Sequence, residues 1–425
     1  MQSDRGIALA LRRLLPLLVL MYAISYLDRI NLTFAQDQLA RDLALSDSAF
    51  GLAAGIFFLG YALFEVPSNL LLVRFGPRIW LGRIMITWGV LAAANALAWD
   101  AASLSVLRFL LGIGEAGFFP GAIYLLSQWF PNDERGRATG VFFSGVAIAA
   151  IVGGPLSGAL LELDGVAGLA GWRWMFLGEG LPAVLVGLYA LRALPGRPSE
   201  ARWMPAEEAQ ALERRVSAEA TALQARAPLA LREVFTDRRT LLLAAAYPCM
   251  TAAASGVTFW LADIIERAGE MSDVSVGLIA AIPFTFGAAG LLVIGAAADR
   301  ATDRKRAVAA GMTVGVLSLI ATAVLPPVLA IAPLCVATFV GLGGLAAFWT
   351  LPTALLSGRA AAAGIALVSS VGQLGGLLGP VLVGALKDSS GSLTPGLLAL
   401  AGCLAVGTAL IARVRMPRTA CAVGV

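Results

Sequence analysis

Apolar runs of roughly 20 residues, each enough to carry a helix across a hydrocarbon core of about 30 Å, return about twelve times along this chain between short polar breaks. Only a helical bundle fits that recurrence. The pattern predicts spans near 14–35, 50–72, 80–99, 103–128, 136–161, 172–193, 240–265, 275–298, 307–326, 330–356, 361–386 and 393–413. With 59% hydrophobic and 14% charged residues, 425 residues carry more apolar surface than a soluble domain of this size could bury. The first run follows Arg12 and Arg13 like a secretion signal, but it has no small-residue cleavage site and leads into Tyr26, Asp28 and Arg29, which marks a retained helix.

The basic residues give an orientation. With both termini cytoplasmic, 25 of the 31 lysines and arginines fall on the inner side, Arg41, Arg173, Arg267 and Lys387 fall outside, and Arg29 and Arg108 lie within spans. The net charge of +4 thus reports loop topology, because no aromatic platform interleaves the scattered arginines as nucleic-acid binding would need. Cys249, Cys335, Cys403 and Cys421 have neither metal-ligand spacing nor a disulfide pattern, and read as packing residues.

Between 194 and 237 the apolar pattern stops. Acidic and basic residues take over there, punctuated by Pro195, Pro198, Pro205 and Pro228, and the segment 206–224 is predicted to be a helix lying along the inner surface. This linker divides the chain into an N-terminal six-helix bundle (1–193) and a C-terminal one (238–425). Each block places a basic turn between its second and third spans. The second turn contains Gly295, Asp299, Arg300, Arg304, Lys305 and Arg306, and the first, more degenerate, contains Asn69, Val73, Arg74, Gly76 and Arg78. Such a turn can fix a helix end by charge pairing and favour one conformation. Close-set glycines, Gly112, Gly114, Gly117 and Gly121 and then Gly372, Gly375, Gly376 and Gly379, let helices approach closely in lipid.

The most informative residues are the charges inside spans. Asp28, Arg29, Arg108 and Glu115 each cost roughly 2.5–3.5 kcal/mol at mid-membrane unless paired or hydrated. Arg108 and Glu115 are two helical turns apart, so they share a face, whereas Asp28 and Arg29 diverge by about 100°. Two packing ion pairs would account for them structurally. Functionally, an arginine's planar fork suits a carboxylate substrate. In a chain with no histidine, protons must travel on Asp or Glu. Burial favours the protonated carboxyl and a neighbouring arginine the ionised one, so an anion that captures the arginine promotes protonation, a reciprocal linkage of the kind symport requires. Tyr247, Ser255, Phe259 and Trp260 line the seventh span; the aromatics suit packing, and Tyr247 and Trp260 are candidates to stack on an aromatic acid. Glu65 reads as a gate or a cap.

The second basic turn resembles the loop signature of the major facilitator superfamily. Tyr26-Leu27-Asp28-Arg29-Ile30-Asn31, Phe64-Glu65-Val66-Pro67-Ser68-Asn69, the run from Arg108 to Ala116, Trp129-Phe130-Pro131, Phe348-Trp349-Thr350-Leu351-Pro352-Thr353 and Gly372-Gln373-Leu374-Gly375-Gly376 resemble its anion:cation symporter family, over essentially all spans and the linker. The resemblance implies an all-α membrane protein with the major facilitator fold of two six-helix bundles. It implies Asp28 and Glu115 in proton coupling and Arg29 and Arg108 on the substrate carboxylate. Tyr26 and Tyr61 match aromatic substrate-site positions, Trp349 and Gln373 the wall of the second half, and Asp299, Arg300 and Arg304 the conformational motif. Gln373 stands where the family pattern has Asn, a departure that bears on substrate choice. The second span resembles the tartrate, phthalate and hydroxyphenylacetate branch more than the sugar-acid branch.

The expectation is a multi-pass transporter of the bacterial inner membrane that takes up a small organic carboxylate with protons, by alternating access, as a monomer and with no cofactor beyond the coupling ion. A drug or metabolite efflux antiporter would favour an apolar cavity with one carboxylate. An aldonate symporter and a sodium-coupled version share the same residues. A membrane enzyme or sensor would need a nucleophile with its base, a metal cluster or a longer C-terminal domain.

Overall fold

The computed structural model describes residues 2–225, 236–269, 271–300, 303–355 and 358–414; the side chains of some helical residues, Asp299 and Arg300 and most of 353–366 among them, lie outside that description. Among the described residues, twelve helices are long and apolar enough to cross a membrane. Leu15–Phe34, Asp47–Phe75 and Pro77–Ala94 form the first three spans. The fourth is two helices, Ala101–Glu115 and Phe118–Trp129, and Asn132–Leu161 and Gly171–Ala193 complete the first half. The second half contains Arg238–Phe259, Asp273–Arg300, Arg304–Val324, Pro327–Leu355, Gly358–Ser390 and Thr394–Arg413.

Two elements differ from the predicted spans for local reasons. The run predicted as one helix over 103–128 breaks at Ala116 and Gly117, because Gly117 has φ +86° and a Cβ there would collide with Ser68 Oγ. The seventh span, predicted to reach 265, ends at Phe259, and a short helix Leu261–Glu266 turns away after Trp260. Helix starts are set locally: Asp100 accepts from Ser103 N (2.7 Å), and Asp237 from Thr240 N (3.0 Å).

The linker forms the helix Ala206–Ala225, beside a first helix, Gln2–Arg13, that precedes the spans. Ile7, Ala10 and Leu14 bury against Ala209, Leu212 and Val216, Arg215 lies 3.6 Å from Asp4, and Trp203 stacks on Trp129 at 5.6 Å. The linker residues 226–235 lie outside the described residues. Cys249 and Cys403, far apart in sequence, face each other between the seventh and twelfth spans as free thiols.

Within the first half the first span packs on the fifth, the second on the fourth and the third on the sixth; in the second half the seventh packs on the eleventh and the eighth on the tenth. The halves meet through the second and eleventh spans and the fifth and eighth. Gly154 and Gly277 cross there so closely that a Cβ on either would strike the other's carbonyl oxygen. The bonds tying the halves gather at the face carrying the 1–2, 7–8 and 11–12 loops. Lys387 Nζ reaches Asp47 Oδ1 (2.8 Å) and Asp263 Oδ2 (2.6 Å), Asp388 accepts from the amides of Asp47 and Ser48, and Gln38 donates to Asp273 (3.0 Å). This face is closed, and the basic turns lie on the opposite one.

Candidate functional site

The in-span charges converge in the first half. Arg29, from the first span, donates through Nε (2.9 Å) and Nη2 (2.5 Å) to Oε1 of Glu115, and Ser25 Oγ donates to the same oxygen (2.8 Å). Glu115 is the last residue of its helix and is fully buried, and its Oε2 has no hydrogen-bond partner. The pairing therefore runs between helices, from Arg29 to Glu115, and Asp28 is held separately. Trp88 Nε1 donates to Asp28 Oδ2 (3.1 Å), and Asn31 Nδ2 to Oδ1 (3.4 Å).

Arg108 has the most unusual surroundings. It is 0% exposed, and its Nε, Nη1 and Nη2 all lack hydrogen-bond partners. Asp28 and Glu115 lie within electrostatic reach of it, but neither bonds to it. Its guanidinium carbon lies 5.3 Å from the centroid of the Phe57 ring, and that of Arg29 lies 5.6 Å from the same ring and 5.3 Å from Tyr61. Two arginines thus flank one aromatic ring, and only one of them has a carboxylate in hand. A buried guanidinium whose N–H groups make no hydrogen bond is costly even with carboxylates in electrostatic reach, so an anion that accepts from it would be favoured.

The aromatic residues divide. Tyr61 is buried beside Arg29, and Tyr26 is half-buried and packed against two apolar clusters, one within the first half and one shared by both halves. Across the gap, Tyr247 stacks on Phe348 (4.7 Å) and meets Trp349 edge-on (5.0 Å), and it faces Glu65 and Tyr22 electrostatically. Gln373 is half-buried on the eleventh span, next to Gly372, whose backbone lies against the Tyr247 ring. Trp260 is elsewhere. It sits fully buried at the closed face, between Phe50 and Lys387, with its indole N–H on Pro380 O (3.3 Å). It therefore does not join Tyr247 in a stacking box, because some 13 residues of helix separate the two.

Of the basic turns, Arg304 opens the ninth span half-buried, and Asp303 caps that helix by accepting from Arg306 N (3.1 Å). The side chains of Asp299 and Arg300 lie outside the described residues. In the first-half turn Asn69 donates to Glu65 O and Arg78 Nε to Leu191 O.

Two residues of the site escape a reading of the sequence by motif. Phe57 lies one helical turn before Tyr61, and that i,i+4 spacing on the second span was the signal for it. Glu179, on the sixth span, is a buried carboxyl bonded by Ser157 (2.8 Å). Its signal was the one that exposed Asp28 and Glu115, an acid inside an apolar run.

The profile of the Major Facilitator Superfamily matches residues 18–380. A quinolone resistance transporter of Acinetobacter baumannii is 43% identical over 91% of this chain and 89% of its own length. A putative tartrate transporter of Agrobacterium vitis is 40% identical over 94% of this chain and 88% of its own length. The crystal structure of a bacterial homologue of the human lysosomal transporter Spinster, inward-facing and occupied, superposes with a TM-score of 0.78 at 19% identity, covering 94% of this chain and 96% of that one. That likeness concerns the fold.

Proposed function

We propose that this chain, which belongs to the Major Facilitator Superfamily and is a multi-pass membrane transporter, carries a small organic carboxylate together with protons. The observation that carries this reading is Arg108, a buried guanidinium with no hydrogen-bond partner, set with Arg29 about one aromatic ring. A substrate carboxylate docks on Arg108 and competes with Glu115 for Arg29. Once released from Arg29, Glu115 is a buried acid without a bonded cation, and it takes up a proton. Asp28, held by Trp88 and Asn31 rather than by an arginine, is the second proton carrier. Neutralised in this way, the site can move between faces by rocking of the bundles 1–193 and 238–425. Two carboxyls allow more than one proton per monoanion, and each net charge moved gains roughly 2.3 kcal/mol per 100 mV.

With the basic turns and both termini cytoplasmic in a bacterial inner membrane, the closed face is the outer one, and this conformation faces inward. The chain works as a monomer, each copy holding its own site. The aromatic wall of Tyr247, Phe348 and Trp349 supports tartrate-sized or aromatic acids over larger sugar acids.

A second reading, drug efflux, is favoured by the relative named as a quinolone resistance transporter. One experiment separates the two. Proteoliposomes are offered labelled tartrate, phthalate, hydroxyphenylacetate and a sugar acid under an imposed inward proton gradient, and norfloxacin under an outward one. Gradient-driven accumulation of an acid, abolished in Arg108→Ala, supports symport; norfloxacin accumulation driven by the outward gradient with no acid uptake overturns it. Strict electroneutrality with a monoanion would remove the stoichiometry above one.

A further inference from the structure

Ser25, Asp28 and Asn31 stand at i, i+3 and i+6 on the first span, so they form a file along one helix face. Each has a buried carboxyl against it. Ser25 donates to Glu115, and Asn31 donates to Asp28 and faces Glu179 on the sixth span. Glu179 Oε1 accepts from Ser157 Oγ (2.8 Å), whereas its Oε2 and the Oδ1 of Asn31 are buried without hydrogen-bond partners. The groups facing Glu179 are Ser157 from the fifth span and Asn31 and Asp28 from the first, none of them a cation; Arg108 reaches Asp28 electrostatically and is not among the groups facing Glu179. This sets it apart from Glu115, which has Arg29.

A carboxylate this deeply buried (3% exposed) with no cation cannot be ionised cheaply, and still less while Asp28 beside it is ionised. The Asn31 amide lies between the two acids, and an N–H donor placed there serves whichever of them carries the charge. We infer that Glu179 is a third proton-holding carboxyl, paired with Asp28 across Asn31, so that the pair releases and takes up its protons as a coupled unit. When Asp28 takes a proton, the like charge opposing ionisation of Glu179 disappears; when Asp28 loses it, Glu179 holds its own more firmly. Glu179 acts through Asp28 and touches no substrate. It extends the acids of the site by one helical step toward the closed face, since Asn31 lies beyond Asp28 on the way to Phe34.

The inference rests on Asp28 being a proton carrier, as proposed above. It is tested on the purified full-length chain in detergent, without substrate, by infrared difference spectra of the carboxylic C=O band as pH is stepped. The set is wild type, Glu179→Gln, Asp28→Asn and Asn31→Ala. In Glu179→Gln the amide fills the same volume as the carboxyl and can still accept from Ser157, and thermal unfolding confirms that each variant is folded. The expected result is that Glu179→Gln removes one titrating band and shifts the titration of the Asp28 band, with Asn31→Ala weakening that shift. Unchanged difference spectra in Glu179→Gln would show that Glu179 never titrates. Loss of its band with the Asp28 band unmoved would show that the two are uncoupled. Either result overturns the inference. Gradient-independent uptake by wild type alongside a coupled pair would instead sink the symport reading and leave the pair standing.

Discussion

The two halves of the molecule share an architecture but not a chemistry. The first half buries Asp28, Arg108, Glu115 and Glu179 between its helices and holds Arg29 and Glu65 at their edge. In the second half the charges sit at span ends, Lys387 and Asp273 among them, and the span interiors offer Tyr247, Phe348 and Trp349. On the proposed function, one half recognises charge and moves protons, while the other supplies a wall and a latch. Substitutions in the two should break different things, and by different amounts.

The largest effect is expected at Arg108. Replacing it by Ala removes a buried partner for a carboxylate, worth about 3 kcal/mol or roughly 100-fold in affinity. Arg108→Lys should recover little, because an ammonium lacks the planar fork. Saturation curves for uptake of the accepted acid measure both. Asp28→Asn and Glu115→Gln should act differently, reducing accumulation against a gradient by about tenfold or more while exchange of labelled for unlabelled acid persists. Loss of exchange and accumulation together in both variants would mean that these acids only hold helices in place.

In the second half the expected losses are smaller. Trp349→Ala gives up an aromatic contact worth about 0.5–1.5 kcal/mol, so affinity should fall by roughly tenfold at most, and by more for an aromatic acid than for tartrate. A loss as large as that of Arg108→Ala would erase the contrast between the halves. Lys387→Ala should open the closed face. Its ammonium bridges Asp47 of one half and Asp263 of the other, both partly exposed, so the shift is about 1 kcal/mol, or roughly fivefold in population. Spin labels on Ser46→Cys and Ser390→Cys, both exposed at this face, would report it as a growing long-distance fraction.

The same contrast explains how much could be read in advance. Twelve spans, the linker helix and the four charges of the site follow from local composition, because in lipid each departure from apolar sequence is costly enough to stand out. The partners do not follow. Asp28 and Arg29 are neighbours in the chain, yet Arg29 turns to Glu115 86 residues away, and only the placing of the first span beside the fourth decides that. Glu179 was as visible as Asp28 and carried no familiar motif around it. Trp260 and Tyr247 looked like one aromatic set, but Tyr247 lies near the middle of the seventh span and Trp260 just past its end, at the closed face. The first helix shows Ile7, Ala10 and Leu14 at helical spacing, a signal hidden by the arginines after it.

The smallest effect concerns pH at the latch. Glu266, on the short helix after the seventh span, is pushed up to about 7, first by burial and then by Asp37, Asp263 and Asp273. Asp37 belongs to the other half and shares a hydrogen bond with it, so its part of this crowding exists only while the face is closed, whereas Asp263 and Asp273 stay with Glu266. Opening removes Asp37 and lets water in, which moves Glu266 down toward the value of about 4.3 for a free glutamate. Because the closed-state value is the higher one, closure binds a proton between those limits. The closed face is therefore favoured in acid, and that preference is lost as pH rises through about 7. Partial exposure limits the size of the effect, and a change of about threefold in population between pH 5 and pH 8 is expected, read with the same pair of spin labels. Glu266→Gln, neutral at every pH, should remain as closed at pH 8 as wild type is at pH 5. A variant that keeps the wild-type pH response would assign it to other acids, Asp263 and Asp273 at this face or those of the first half.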